Sequence, residues 1–331
     1  MVLTNFPNGI SSFGVPVIGG GGLPPFSGNH FFVDAVSGSD GNEGDAENPF
    51  ATLAYAYSKT TSGNNDVIYI VGDGATTGTQ RLTATLTWAN NATHLIGLTA
   101  PVMYASRARI SHSTTATAAI NPLVSVTGSG CIFANFSLFQ GIAATTTADQ
   151  LWKDSGERNY YYRVHFGGMG KAASGAGSNH ASSYCLYLHG GGERLFEQCV
   201  VGLDTISRGA ANASLLLDSE AARDVFRECH FPMYAGATTP VFVDCNSSAS
   251  LNRKITFNRC QFLNIADVSG YTAAAVVKNN AAQNGYVVIE DCSVYGATHW
   301  TAAAASLVLI ASPTHASMGT TGGFAVTATI T

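Results

Sequence analysis

Four polar side chains leave matching points of an internal repeat: His189, Asp218, Asp244 and Lys278, in "CLYLHG", "SLLLDS", "VFVDCN" and "AVVKNN". Two carboxylates with a base and a cation nearby are the equipment of glycosidic cleavage, one acid protonating the leaving oxygen while the other attacks or activates water. If successive repeats stack at the strand spacing of about 4.8 Å, Asp218 and Asp244 face each other at a retaining-glycosidase distance of about 5 Å. Arg194, Asp204, Arg208 and Glu220 are the neighbouring candidates. The plainer reading is preferred: a repeated strand must place some polar residue where it leaves the core.

A second set is the acidic loop "DGNEGDAEN", in which Asp40, Asn42 and Asp45, with Glu43 and Glu47, are oxygen donors of the type that hold calcium. The EF-hand spacing with its terminal Glu is missing, so a solvated turn is the expectation and no metal or cofactor is assigned. His165, His230 and His299 are isolated and read as structural, and Trp88, Trp152 and Trp300 are too scattered to suggest a sugar platform. Lys and Arg number sixteen and form no cluster along the chain.

The third chemistry-bearing set is the thiols. "RLFEQCVVG", "DVFRECHFP", "ITFNRCQFL" and "VVIEDCSVY" repeat one pattern around Cys199, Cys229, Cys260 and Cys292. Taking each Cys as position zero, large apolar residues recur at −3 and +2, with mostly polar residues at −2 and −1. "NYYYRVHFG" and "CIFANFSLF" fit with Val164 and Phe136 at zero, and the steps between zeros are 28, 35, 30, 31 and 32 residues.

An inward pair three apart breaks the alternation of a straight strand, and −3 and +2 diverge on a helix. A strand that bends sharply at −2 and −1 satisfies both, and Asn258 and Asn135 tolerate the left-handed backbone of such a corner. Recurrence near thirty residues with short strands marks a solenoid of stacked parallel strands. Leucine-rich units are absent. The four Cys then form an interior packing ladder. The seven Cys are odd in number and lack C-x-x-C spacing, which reads as buried free thiols made in a reducing compartment.

The chain of 331 residues carries a formal charge of −5, so nucleic acid is not an expected partner. Charged residues make up only 11%, against roughly 25% in ordinary globular proteins. A surface of small polar groups suits a packed assembly. The N-terminus lacks a secretory pattern, and no apolar run reaches membrane-spanning length. Residues 1–29 mix Gly and Pro with Phe6, Phe13, Val15, Val17, Ile18 and Phe26, which reads as an arm that docks on a partner. Residues 30–312 are the solenoid, 30–74 its cap, and 313–331 a final capping or oligomerisation strand. In the cap, Asn48 as N-cap and Pro49 at the first helical position begin the expected helix "PFATLAYAYSK".

The cap residues Val33, Asp34, Gly38, Ser39, Asp40, Asn42 and Gly44, then Asn48, Pro49, Phe50, Thr52, Leu53 and Ala56, then Asp66, Ile68, Tyr69, Ile70 and Gly72, resemble the N-terminal cap of the right-handed parallel β-helix proteins of pectate-lyase-like type. With the downstream repeats the resemblance covers about 30–312. It implies an all-β, single-stranded right-handed parallel β-helix with a short capping helix and an extended arm. It also implies a family of polysaccharide lyases and hydrolases, phage tailspikes and non-enzymatic virion proteins, among which fold alone does not choose. The opening "NFPNGISSFGVPV" further resembles N-terminal segments of tailed-phage structural proteins.

The expectation is therefore a homotrimeric head decoration (cement) protein, made in the bacterial host cytoplasm. It would sit on the capsid surface and bind the major capsid protein or other virion proteins through its arm. The alternative is a carbohydrate-active enzyme of tailspike type that binds or cleaves a surface glycan through Asp218 and Asp244.

Overall fold

The computed structural model describes residues 11–12, 15–16, 26–115, 120–141, 148–169, 180–245, 247–265, 273–280, 282–301, 307–312, 316–318 and 324–326. Three long sheets wrap one hydrophobic core as a right-handed parallel β-helix. The first sheet has ten strands, from His30–Val33 and Val67–Val71 through Leu195–Glu197 and Val225–Arg227 to Leu307–Ile310. The second begins at Thr79–Leu82 and ends in Ala316–Met318, on which Phe324–Val326 pairs antiparallel. The third runs from Leu86–Trp88 to Ala297–Thr301.

Each turn of the chain visits the sheets in that order, and the register keeps repeat positions aligned. Position −3 is the central inward column of the first sheet, with Phe133, Tyr161, Phe196, Phe226 and Phe257 as successive partners. Their rings stack at 4.9, 4.4, 4.5 and 4.9 Å between centroids, with interplanar angles of 16° or less. Offset stacks of this kind add roughly 0.5–1.5 kcal/mol per pair beyond simple burial.

The corner between first and second sheets is the bend read from the sequence. Position −1 is left-handed in every repeat: Asn135, Arg163, Gln198, Glu228, Arg259 and Asp291 have φ between 51° and 60°. Asn135 was expected there; Asn258 was not correctly placed, because it stays extended at −2 and its neighbour Arg259 takes the turn. Position zero then dips into the core, and all seven Cys are buried and free, without disulfides.

The thiols have a second task beyond filling the corner. Cys199, Cys229, Cys260 and Cys292 each donate to the −3 carbonyl of the preceding turn, at Tyr161, Phe196, Phe226 and Phe257 (3.4–3.5 Å). In return the Cys260 amide donates to Cys292 Sγ at 3.3 Å, and the Cys292 amide to Ser312 Oγ at 3.0 Å. A small side chain with both donor and acceptor therefore serves backbone groups at a bend, where unpaired buried groups are costly.

The cap closes the N-terminal end. Its helix is Leu53–Ser58, shorter than expected, and its N-cap is Thr52, not Asn48. The reason is pairing: Phe50 is held as extended backbone by Phe32, with the Phe50 amide on the Phe32 carbonyl at 2.9 Å, so the helix starts later. Leu53 and Ala56 are buried, and the Tyr57 ring lies 4.5 Å from Trp88 of the first turn. This seals the open sheet end.

Of the expected docking arm, Phe6, Phe13, Val17 and Ile18 lie outside the described residues. Val15 is described only in a short antiparallel pair, Ser11–Ser12 with Val15–Pro16. Phe26 is described, and it packs on its own chain: its ring is 4.6 Å from His94 on the outer face of the first sheet. Most of residues 313–331 likewise lie outside the described residues.

Candidate functional site

The expected catalytic set lies on the outer face of the third sheet, in two columns. Lys153, Tyr187, Leu216, Asp244 and Lys278 are partners on successive strands. His189 and Asp218 are partners two residues further along. Asp218 and Asp244 are thus on adjacent strands but out of register, along the sheet diagonal, where Cβ atoms lie about 7–8 Å apart. The register is set by the buried pair Leu215 and Val243, which fixes Asp244 opposite Leu216. The facing carboxylate pair is not formed. Asp244 is instead in an ion pair with Lys278, Oδ2 to Nζ at 3.4 Å.

His189 gathers the groups that do converge. Its Nδ1 is 2.6 Å from the Tyr187 hydroxyl and 3.0 Å from Ser219 Oγ. Tyr187 also reaches Asp218 Oδ2 at 3.4 Å, and Lys153 Nζ stands 5.1 Å above its ring. Burial, with Lys153 next, lowers the His189 pKa and keeps the ring a neutral acceptor, while Asp218 opposes. Burial likewise raises Tyr187 to about 12, so its hydroxyl holds its proton. A neutral imidazole beside a serine hydroxyl is the first half of a nucleophile–base pair. Tyr187 and Ser219 were not singled out from sequence; the alternation that exposes Tyr187 beside His189 was the available signal.

The acidic loop is committed to the cap. Asp40 accepts from the amides of Ala51 and Thr52 at 2.9 Å and from the Thr52 hydroxyl at 2.8 Å, and so supports the helix start. Asp45 accepts from the Glu47 and Asn48 amides, while Asn42 donates its amide to the Pro49 carbonyl. Among the described residues, no group of three or more His, Cys, Asp or Glu is arranged to hold a metal ion.

Two histidines bridge turns by one geometry. His165 Nδ1 accepts from the Ala105 amide at 3.0 Å and its Nε2 faces the Gly202 carbonyl at 3.1 Å. His94 Nδ1 accepts from the Ile132 amide at 3.0 Å and its Nε2 faces Asn65 Oδ1 at 2.6 Å. Both patterns assign the proton to Nε2. Burial, in agreement, lowers both pKa values to about 4. Tyr104 covers this region, 3.1 Å from His230 Nδ1.

Folding also gathers cations that look dispersed along the chain. Arg81, Arg107 and Arg109 come close enough that, after burial, the other two are what lower the Arg109 pKa.

Inside the helix lies a cluster around Arg194, which the sequence reading places beside the outward-facing carboxylates. Arg194 Nε is 3.2 Å from Asp224 Oδ1, and its Nη1 donates to the Asp154 carbonyl at 3.0 Å. The Asp154 carboxylate accepts from the Tyr161 hydroxyl at 2.6 Å, the Gly156 amide at 2.7 Å and the Asn159 side chain at 3.2 Å. All five side chains are buried. Burial raises the pKa of both carboxyls, Asp224 to about 7, while Arg194 opposes. Asn159, Arg194 and Asp224 share position −5, the first residue of each quoted repeat string and an inward column that the comparison of −3, zero and +2 left out. The cluster binds successive turns together, and its side chains are buried from solvent.

No protein-family model matches the chain, and no curated sequence matches it. Solved structures are similar in fold. A pectin methylesterase from Aspergillus niger aligns at TM-score 0.57 and 14% identity, over 91% of this chain and 89% of that one. A rhamnogalacturonan lyase aligns at 0.58 and 15%, over 86% and 73%, and the pectate lyase Pel9A at 0.56 and 12%, over 82% and 64%. At such identities the likeness establishes the pectate-lyase-like β-helix and nothing about chemistry.

Proposed function

We propose that this protein is a structural component of a phage-type virion, a head decoration protein that uses its β-helix as a rigid block. The observation that carries the reading is the leading segment. Residues 1–33 contain no Asp, Glu, Lys or Arg, yet they lead into a sealed, rigid stack. An uncharged apolar segment on a rigid body is suited to lie across other subunits, here the major capsid protein, with the bodies grouped as homotrimers. The His94, His165 and Asp224 networks support the reading as well, since they tie turns of the block together.

The test is occupancy on particles. Protein lacking residues 2–25 should fold with an unchanged melting temperature and fail to decorate heads that lack the native protein. The truncation stops at 25 because Phe26 packs against the first sheet. Full occupancy by the truncated protein, seen by electron microscopy, would refute attachment through the segment.

A second reading has its own observation, the His189 Nδ1 contact with Ser219 at 3.0 Å. On it, Ser219 Oγ attacks an ester carbonyl of a glycan as His189 takes its proton, with Tyr187 and Asp218 alongside. His189 returns that proton to the departing alcohol as the ester C–O bond breaks, and water then releases the acyl group by the same route. Screening neutral and acidic polysaccharides for released reducing ends, unsaturated uronates or free acid decides it. Turnover abolished by His189→Ala or Asp218→Ala would displace the structural reading.

A further inference from the structure

An asparagine followed by glycine is open to attack by its own backbone, because glycine places no side chain between its amide nitrogen and the asparagine carboxamide. The chain has two such pairs, Asn8–Gly9 and Asn284–Gly285, and two aspartate counterparts, Asp40–Gly41 and Asp73–Gly74. Asn8 and Gly9 lie outside the described residues. Both aspartates are tied down by hydrogen bonds. Asp40 is held by Ala51 and Thr52, and Asp73 accepts from the Ala75 amide at 3.3 Å and the Thr77 hydroxyl at 3.0 Å.

Asn284 differs from these. It is exposed, and neither its side chain nor the Gly285 amide has a hydrogen-bond partner among the described residues. The main chain is nonetheless anchored on both sides. Gln283 donates its side-chain amide to the Cys245 carbonyl of the preceding turn, and the Tyr286 amide donates to the Arg253 carbonyl at 2.8 Å. The unbonded step is thus the two residues at the corner that opens strand Tyr286–Glu290. In the register of Lys254 with Tyr286, Asn252 holds the same place one turn earlier, and there the corner is protected. The Asn252 amide donates to the Ala221 carbonyl at 3.2 Å. Its side chain donates to Glu220 at 3.0 Å and accepts from Arg253 at 2.6 Å.

Packing forces the glycine. A Cβ at 285 would stand 2.0 Å from the Arg253 carbonyl oxygen, closer than any side chain tolerates. The stacked turn therefore cannot shield Asn284 by giving it a larger neighbour, as Arg253 shields Asn252.

We propose that Asn284 is a self-modification site, converting slowly to aspartate and isoaspartate while the protein stays folded. The Gly285 nitrogen bonds to Asn284 Cγ, its proton passes through water to the departing nitrogen, and the Cγ–Nδ2 bond breaks to release ammonia. Water then opens the resulting cyclic imide. Opening at one carbonyl leaves aspartate. Opening at the other leaves isoaspartate, which routes the main chain through the side chain and lengthens it by one carbon. Either product adds a negative charge to this corner, and isoaspartate strains the pairing of Tyr286 with Arg253 that starts the strand. The chemistry needs only water and holds whichever task the solenoid serves.

The test is to age the folded protein in mildly alkaline buffer and follow the mass of one peptide. Cleavage after Lys278 and Glu290 isolates residues 279–290. Asn284 should gain one mass unit at a rate within about tenfold of the free peptide of that sequence, since a segment without hydrogen bonds opens at almost no cost. Asn279 and Asn280 in the same peptide, and Asn252 in the preceding turn, should stay unchanged over that time. Part of the product should accept a methyl group from an isoaspartyl methyltransferase. Asn284→Gln, whose longer side chain closes the ring far more slowly, should stop the gain and leave the melting temperature unchanged. A slower folded-state rate than that would overturn the proposal, by showing the corner too rigid for ring closure. A gain that persists in Asn284→Gln would overturn it as well, by assigning the reaction to another residue.

Discussion

The amide of Cys260 donates to the sulfur of Cys292 at 3.3 Å, and one turn later the amide of Cys292 donates to the hydroxyl of Ser312. Ser312 also donates to the Ile289 carbonyl, as each ladder thiol does to the −3 carbonyl of the preceding turn. Serine is thus a working substitute for cysteine at this corner. Cys229→Ser should be tolerated, while Cys229→Val, which fills the space but pairs with nothing, should cost about 1–3 kcal/mol in urea unfolding. The ladder thiols should also resist alkylation until the protein unfolds, since burial raises Cys229 and Cys260 well above the usual thiol range.

Phe196 stacks between Tyr161 and Phe226 at 4.4 and 4.5 Å in the middle of the inward column. Phe196→Ala removes two stacked contacts and opens a cavity that backbone stacking prevents from collapsing. Denaturant unfolding should show a loss of about 3–5 kcal/mol.

Acid should loosen the links between turns. His94 and His165 titrate near 4 when folded, below the ordinary 6.5. Their contribution is complete above pH 6.5 and is lost as pH falls toward 4, because only the unfolded chain takes up protons in that window. His165→Gln retains a donor and an acceptor without titrating. Its melting temperature should fall less than that of the native protein between pH 7 and 4.5.

The interior cluster has the opposite sign. Asp224 is raised from 3.8 to about 7 by burial, so its contribution is present at low pH and lost as pH rises through 7. Arg194→Met leaves Asp224 and Asp154 without a cation and should cost about 3–5 kcal/mol at pH 8. Near pH 5, where Asp224 holds its proton, the same substitution should cost less. Parallel melts at the two pH values check the direction.

The inward columns at −3, zero and +2 were readable because a solenoid repeats its burial pattern at every turn. The corner was readable for the same reason, although the left-handed residue could not be chosen by side-chain type. Arg163, Gln198, Glu228 and Asp291 adopt it where Asn or Gly would be the easier choice. Register along the third sheet was harder. Asp218 and Asp244 follow similar strings, but the pairing of Leu215 with Val243 offsets them by two residues. The helix start moved because Phe50 pairs with strand His30–Val33, a contact outside local capping rules. The interior ions were misplaced or missed because a polar residue just ahead of a strand, such as Arg194 or Asp224, looks like surface until its column is known to face inward.

A stack of equivalent turns is an open-ended template, and nothing in the repeat itself says when to stop. Here the count is imposed from outside the repeat. Helix Leu53–Ser58 blocks one end, and at the other Phe324–Val326 runs against the grain of Ala316–Met318. Reversing strand direction at that last edge of the second sheet breaks the parallel repeat, so the stack ends there on a strand that the repeating unit does not contain.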